Sequence, residues 1–493
     1  MKRVYQYIKF VSFDKASRTL TLKNDYDFIT LEGFELYFSV ALNGYQKQQG
    51  TVALPATKPG ETASVVIPYS LADGDGEQML GIEIRLAEAT SWAPAGYPMA
   101  TNQYTLVERA DEFTALDASS SPLTLTQEGT DRVITTADGT GVRFASNGDL
   151  LSWQHEGTEY LVRGPEYSNY RWVENDGPNE GYNNYGSDNG ISSKSLVSAK
   201  LSADAHTATV ITKGTGRNCD YTFTYTIHSN GIVQLDAAYT ANITNIRRIG
   251  LDMEFLGGYE SVEYYARGPW ENYIDRHSGS YIGRYHTTID DMFEPYSKPQ
   301  SMGNREALRD LTLYNVVIGN GDRVGVRIEA QGQVAFSVLG YDDVTLKNAS
   351  HPWELERQGS IYAHFDYMQR GLGNGSCGKG TGTIGAYQVP SSGTYSYSLR
   401  FIPLAVYDEA TDIATPSYSG YSVKYDAATD AILCTGNFAE GTTATLYNMG
   451  GLSLGTATAN DGLIALPVEG APRGSYLVVI RGDEGEYVYK IAL

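Results

Sequence analysis

The chain has 493 residues, of which 41% are hydrophobic, and its formal net charge at pH 7 is −21. This length exceeds what a single hydrophobic core supports, so we expect more than one domain. The negative charge disfavours binding to nucleic acid or to an anionic membrane surface, and no apolar run reaches the roughly 18 residues that span a bilayer.

Alternation of apolar and polar residues predicts one strand after another along the chain. In "FELYFSVALNG", residues 34–44, every second residue is apolar. The stretches "FASNGDLLSW" (144–153) and "YTFTYTIHSNGIVQL" (221–235) place an Asn-Gly pair between alternating segments, which is a strong β-hairpin signal. No apolar stripe with a period of 3.6 residues is long enough to indicate a helix, so the predicted fold class is all-β.

Two changes in composition divide the chain. Residues 108–122, "ERADEFTALDASSSP", and residues 408–420, "DEATDIATPSYSG", are polar and carry no periodic pattern, as is typical of linkers. We therefore predict three β-domains, at 1–108, 119–407 and 420–493. No fixed repeat period is present, which argues against a propeller.

The residue types alone do not select a chemical site. His277 and His286 lack the spacing of a metal-binding motif, and the three cysteines are too far apart for a zinc knuckle. Cys377 lies in a glycine-rich segment without the pattern of a phosphate-binding loop. Two pairs, Glu174 with Asp176 and Glu271 with Asp275, are candidates for the paired carboxylates of a glycosidase, but a chain with 58 acidic residues offers such pairs by chance.

Several motifs, in order, resemble the C-terminal part of bacterial β-galactosidases of glycoside hydrolase family 2. Residues 1–106 resemble the immunoglobulin-like domain that follows the catalytic barrel. Five further segments resemble the C-terminal domain of that family, which also occurs as a separate small subunit. They are "YRWVENDGPNEGYNN", "RGPWENYIDRHSGSYIGRY", "YSKPQSMGNREALRDL", "ASHPWELE" and "HFDYMQRGLGNGSCG". The resemblance implies an immunoglobulin-like sandwich at 1–108 and a large β-supersandwich at 119–407.

The segment "GPWENYIDRHSG" looks like a turn motif of that family, which implies a structural role at the edge of the substrate cleft. We expect Glu-Arg and Asp-Arg contacts to hold this turn together. Its motif residues are Gly268, Pro269, Glu271, Asn272, Tyr273, Asp275 and Arg276.

The resemblance also implies four residues at the substrate edge, namely Asn175, Asp176, His351 and Cys377. In some members of the family a tryptophan near the position of Cys377 stacks on the sugar. A thiol has no aromatic face, so Cys377 lacks the group that this stacking requires. A hydrogen bond at a strand end explains His351 equally well.

In that family the catalytic glutamates and the magnesium ligands belong to a (β/α)8 barrel that precedes the immunoglobulin-like domain. This sequence shows no alternation of strands and helices, so we expect no catalytic residue, no metal site and no cofactor in this chain, and magnesium and sodium only in the barrel. We expect a truncated product, an excised piece or one half of a split enzyme, inactive alone. The implied partners are a family 2 barrel, in the same gene or in a separate large subunit, and β-galactosides.

Residues 420–493 lie outside this resemblance and are predicted to form a small β-sandwich. They are similar to C-terminal sorting domains that a bacterial secretion machine reads, which implies a periplasmic or cell-surface location. A carbohydrate-binding domain would look much the same. For the chain as a whole, a stand-alone carbohydrate-binding module and a lyase or epimerase on a similar β-sandwich remain alternatives.

Overall fold

A computed structural model describes the chain except for residues 1, 111, 115–120, 138, 174–188, 218, 243–245, 317–322, 374–382, 391, 408–421, 427–428, 437, 440, 449–452, 461, 469–474, 483–484 and 493. The described part contains 32 strands, which confirms the all-β prediction, and one α-helix, α1 (Asp343–Asn348). None of its helices has the length and apolar character needed to cross a membrane. The chain divides into two compact units, Met1–Asp408 and Glu409–Leu493.

The first unit begins with two antiparallel sheets around one hydrophobic core. Their strands are β1 (Ile8–Asp14), β2 (Thr19–Asn24), β3 (Phe34–Leu42), β4 (Tyr45–Ala53), β5 (Thr62–Val66), β6 (Gln78–Leu86) and β7 (Pro98–Val107). The sheet orders are β1-β2-β5 and β4-β3-β6-β7. Strand β3 buries every second residue, as its alternation predicts, because successive side chains point to opposite faces of a sheet.

The rest of the first unit builds a larger core from three antiparallel sheets. Their strands are β8 (Thr124–Glu128), β9 (Asp131–Thr135), β10 (Gly141–Phe144), β11 (Leu150–His155), β12 (Thr158–Glu159), β13 (Leu161–Ser168), β14 (Ser193–Leu201), β15 (Thr207–Gly216), β16 (Cys219–His228), β17 (Val233–Asn242), β18 (Arg248–Leu256), β19 (Ser261–Gly268), β20 (Tyr281–Thr288), β21 (Asp310–Val316), β22 (Arg323–Gln331), β23 (Ala335–Leu339), β24 (Ser360–Gln369) and β25 (Ser392–Tyr407). The sheet orders are β12-β11-β10-β9-β8, β13-β18-β24-β23 and β14-β15-β16-β17-β25-β22-β21-β19-β20.

The predicted hairpin at Asn230-Gly231 joins β16 to β17, and Gly231 adopts a φ of +85°, which favours glycine. Within β16, the alternate residues Tyr221, Phe223 and Tyr225 are buried in the core. Many of the chain's tyrosines are therefore core residues of the large sheet. Their rings pack together, as Tyr221 does against Tyr167 at a centroid distance of 5.3 Å.

A buried ion pair joins the N-terminal sandwich to the large sheets within the first unit. The Glu77 side chain is only 3% exposed, and its carboxylate accepts two hydrogen bonds from Arg309, at 2.9 and 2.7 Å. The Tyr265 hydroxyl donates to the same carboxylate at 2.6 Å. Nearby, the Gln103 side chain exchanges two hydrogen bonds with the backbone of Ile282, at 2.7 and 2.9 Å. These contacts fix one sandwich against the other.

We expect Glu77→Gln to lower the free energy of unfolding by about 3 kcal/mol, because it leaves the partly buried Arg309 without its countercharge. Urea unfolding of the first unit measures this change. The matched control is Glu83→Gln on β6, the strand that Glu77 precedes, where the pair with Arg85 is more exposed and the loss should stay below about 1 kcal/mol. Equal effects of the two substitutions would contradict a stabilising junction.

The Glu77 contribution should also depend on pH. Burial opposes ionisation, but the hydrogen bonds and charge of Arg309 outweigh it and lower the pKa of Glu77 below its ordinary 4.5. A lowered folded pKa gives stability that is present above the unfolded value and is lost as the pH falls through the folded value. The difference between the native chain and Glu77→Gln should therefore shrink below pH 4.5.

The second unit has its own core, formed by two antiparallel sheets. Their strands are β26 (Ser422–Asp426), β27 (Ala431–Thr435), β28 (Thr443–Asn448), β29 (Ser453–Thr458), β30 (Leu463–Pro467), β31 (Ser475–Gly482) and β32 (Gly485–Ala492). The sheet orders are β26-β27-β30 and β29-β28-β31-β32. Buried apolar residues of both sheets, such as Ile432 and Val478, meet in this core.

Because each unit has a separate core, we expect a chain that ends at residue 408 to fold without the second unit. Its main calorimetric transition should match that of the full chain within a few degrees. The shortened chain should also remain soluble. Loss of that transition, or aggregation of the shortened chain, would show that the second unit is needed for the first to fold.

Candidate functional site

The turn that follows β19 is held by hydrogen bonds from its own strand and from a distant segment. It begins with a cis peptide bond between Gly268 and Pro269. The fully buried Asn272 side chain donates to the carbonyls of Arg267 and Trp270, at 3.0 and 2.9 Å. Its carbonyl oxygen accepts the backbone N–H of Glu306 at 3.0 Å. The Asn272 amide therefore connects the turn to the chain segment before β21.

Glu271 is a buried carboxylate, with a side chain that is 3% exposed. One of its oxygens accepts the Tyr296 hydroxyl at 2.5 Å and the guanidinium of Arg276. The other accepts the backbone N–H of Gly303 at 2.8 Å. The predicted Glu-Arg contact is thus present. Burial, together with the neighbouring Glu271 carboxylate, raises the pKa of Tyr296 to about 12.

Asp275 makes a different contact from the arginine contact that we expected. Its two oxygens accept the backbone N–H groups of Leu372 and Gly373, at 3.0 and 2.7 Å. Gly371 lies so close that an added Cβ would stand 2.6 Å from the Asp275 carboxyl carbon. The turn therefore holds the described start of the glycine-rich segment that contains Cys377.

A cavity of about 130 Å³ opens beside this turn. It is lined by Val173, Glu271, Tyr273, Arg276, Tyr296, Gln300, Ser301 and Leu372. Val173 directly precedes the segment 174–188, and Leu372 lies just before 374–382. The residues that lead into these two segments therefore lie at the same cavity. We call this space the Glu271 cavity. Asn175, Asp176 and Cys377 themselves lie outside the described residues.

The Glu271 cavity can hold hydroxyl groups, because its lining offers a carboxylate, a guanidinium, a phenol and an amide. Glu271 is the one carboxylate among the described lining residues, whereas glycoside hydrolysis requires two. The motif "YSKPQSMGN" supplies Tyr296, Gln300 and Ser301 to the lining. No pattern in the sequence indicates that role, since these side chains reach Glu271 only through the fold.

His351 lies outside the lining of the Glu271 cavity, before a 3₁₀ turn at Pro352–Glu354. Its ring stacks on Trp353, with centroids 4.2 Å apart, and its Nδ1 lies 2.9 Å from a Glu354 oxygen. Trp353 is 78% exposed, so the stacked pair is a surface feature. The substrate-edge role of His351 remains a prediction.

The two histidines that we considered as metal ligands are set apart. His286 lies on β20, with Nδ1 3.7 Å from an oxygen of Glu263. Burial lowers the pKa of His277, which follows the turn. Across the residues that the structure describes, no group of three or more His, Cys, Asp or Glu is placed to hold a metal ion.

Together these features define a large antiparallel β-sandwich protein. Its polar side chains line the Glu271 cavity beside Val173 and Leu372. Residues 136–401, more than half of the chain, match the family described as the β-galactosidase small chain. Residues 20–107 match β-galactosidase domain 4. The chain belongs to the β-galactosidase small-chain family, which confirms the resemblance stated from its motifs.

Curated relatives support this membership at low identity. A β-galactosidase of Priestia megaterium is 24% identical over 393 residues, which cover 76% of this chain and 36% of the relative. One of Streptococcus thermophilus is 25% identical over 423 residues, covering 82% and 39%. One of Vibrio vulnificus is 27% identical over 409 residues, covering 78% and 38%. The chain therefore spans less than two fifths of the length of these relatives.

Among solved structures, a galactose 1-epimerase from Lactobacillus acidophilus aligns with 57% of this chain and 98% of its own. The TM-score is 0.31 and the sequence identity is 9%. A similarity this low supports no conclusion about fold or function.

We expect Asp275→Ala to release the chain that leads into residues 374–382. The substitution removes two hydrogen bonds to a charged acceptor, so the free energy of unfolding should fall by about 1–3 kcal/mol. Hydrogen exchange of the Leu372 and Gly373 amides should accelerate at least tenfold. Asp290→Ala, which removes an exposed carboxylate paired with Arg357, is the control and should change neither quantity. Unchanged exchange in Asp275→Ala would contradict the anchoring role.

Proposed function

We propose that this chain is the C-terminal portion of a β-galactosidase and completes a galactoside pocket on a catalytic barrel outside this sequence. The family match over residues 136–401 and the β-galactosidase relatives support this proposal. The barrel would supply both catalytic carboxylates, together with magnesium and sodium. It would belong to the same gene or to a separate large subunit.

One structural observation carries the proposed role of the chain within that enzyme. The turn at 268–276 holds Leu372 through Asp275, and Val173, which precedes the other long segment, lines the same polar cavity. The described lining contains a single carboxylate, Glu271, and four donors, from Tyr273, Arg276, Tyr296 and Gly303, already occupy its oxygens. This arrangement suits a wall that positions a sugar by hydrogen bonds and leaves proton transfer to another domain.

We also propose that residues 420–493 direct the protein to the periplasm or the cell surface. Their similarity to sorting domains is the ground for this proposal. Their separate hydrophobic core is compatible with a function independent of the galactoside pocket.

Complementation tests the main proposal. The family 2 catalytic barrel from the source genome is produced alone and together with this chain, and the release of nitrophenol from nitrophenyl β-galactoside is measured. We expect no activity from this chain alone, little from the barrel alone and at least a hundredfold gain when both are present. A control mixture contains the chain shortened to end at residue 408 and should be equally active, because the Glu271 cavity lies in the first unit.

Two results would contradict the proposal. One is hydrolysis by this chain alone in a preparation free of host enzyme. The other is a barrel that reaches full activity without this chain.

A further inference from the structure

A second cavity, of about 210 Å³, lies against the four-stranded sheet and the start of α1. Its polar lining comes from β13, β18, β24, the helix start and the chain before β14, namely Arg163, Glu166, Asn189, Asp252, Asp342, Asp343, Tyr362 and His364. It shares no lining residue with the Glu271 cavity. We call it the Arg163 cavity. The neighbours of Asp252 along β18, Leu251 and Met253, are core residues, so Asp252 points away from the large core.

The polar side chains at the mouth of the Arg163 cavity are fixed by one another. Arg163 Nη1 lies 2.6 Å from Asp252 Oδ1, and the Asn189 amide donates to the other Asp252 oxygen at 3.4 Å. Lys194 Nζ lies 2.8 Å from Glu166. Since Arg163, Asp252 and Glu166 are held by these contacts, this part of the lining is ordered before any ligand arrives, which lowers the entropy cost of binding.

A buried arginine supports the deep end of the cavity. Arg248, with a side chain that is 2% exposed, lies 2.9 Å from Asp343 and 3.1 Å from Asp366. His364 Nε2 lies 3.1 Å from the same Asp343 oxygen. Burial opposes ionisation of Asp343, but His364 and Arg248 outweigh it and lower the pKa of Asp343. The cavity therefore presents an ionised acceptor beside an imidazole.

The composition of the lining selects a class of ligand. Four carboxylates face one lining arginine, Arg163, so a phosphate or a carboxylate would be repelled. No metal-binding group of three or more ligand side chains exists in the described chain. A neutral polyol needs both acceptors and donors, which Asp252, Asp343, Arg163 and Asn189 supply. The Tyr362 ring adds the aromatic surface that the apolar face of a sugar contacts.

We propose that the Arg163 cavity binds one neutral monosaccharide unit, at a site separate from the Glu271 cavity. The volume suits a single sugar ring, because pockets for larger drug-sized ligands are about 300–1,000 Å³. This proposal does not rest on the proposed galactosidase function. It would hold equally for a carbohydrate-binding protein.

Ligand-observed saturation-transfer NMR on the full chain tests whether the Arg163 cavity binds a monosaccharide, with methyl β-galactoside and methyl β-glucoside as probes. We expect saturable binding of at least one probe in the millimolar range, as small polar ligands allow. Asp252→Asn removes the charged acceptor and should weaken this binding about tenfold. If Asp252→Asn does not fold, as judged by circular dichroism, Tyr362→Ala replaces it and should weaken binding by a similar factor.

Two control variants locate the signal. Trp353→Ala removes an exposed aromatic ring outside the Arg163 cavity and should leave the dissociation constant unchanged, whereas Arg276→Ala alters the Glu271 cavity and shows whether binding there contributes to the signal. No saturation with either probe would overturn the proposal. Binding that persists in Asp252→Asn but is lost in Arg276→Ala or Trp353→Ala would overturn it as well. This experiment measures sugar binding to the chain alone, whereas the complementation experiment measures hydrolysis by the chain together with the barrel. A negative result in one is therefore distinguishable from a negative result in the other.

Discussion

The burial of Glu271 is the constraint on which the candidate site depends. A carboxylate withdrawn from water must find hydrogen-bond donors, and this one receives them from Tyr296, Gly303 and Arg276. Those donors can reach it only if the segment 296–303 packs against the turn. Four residues further on, the partly buried Asp275 carboxylate accepts the backbone N–H groups of Leu372 and Gly373. Satisfying two carboxylates thus determines where three distant segments meet.

A similar constraint operates at the junction of the two sandwiches. Arg284 on β20 donates to Glu263 and Asp310, at 2.9 and 2.7 Å, and to the carbonyl of Asn43 in the N-terminal sandwich. With the pair of Glu77 and Arg309, these contacts form a directional interface. Polar contacts of this kind define orientation more strictly than apolar burial does. The large sheets, which carry both cavities, are therefore held in one orientation against their neighbour.

The two cavities differ in what their side chains can do. The Glu271 cavity has one carboxylate in its described lining, whose oxygens are engaged by the turn itself. The Arg163 cavity carries several carboxylates with an imidazole, held by a buried arginine. Both linings offer hydrogen-bond donors and acceptors.

The sequence by itself determined the strands and the family, and only the tertiary structure decided the sites. Alternation is a local property, so the buried faces of β3 and β16 could be read directly. The six-residue α1 was missed because so short a helix carries almost no periodicity. The motif at 268–276 was recognisable, but its partners were not. Asp275 reaches Leu372 across 97 positions of sequence, and such contacts depend on how the sheets pack.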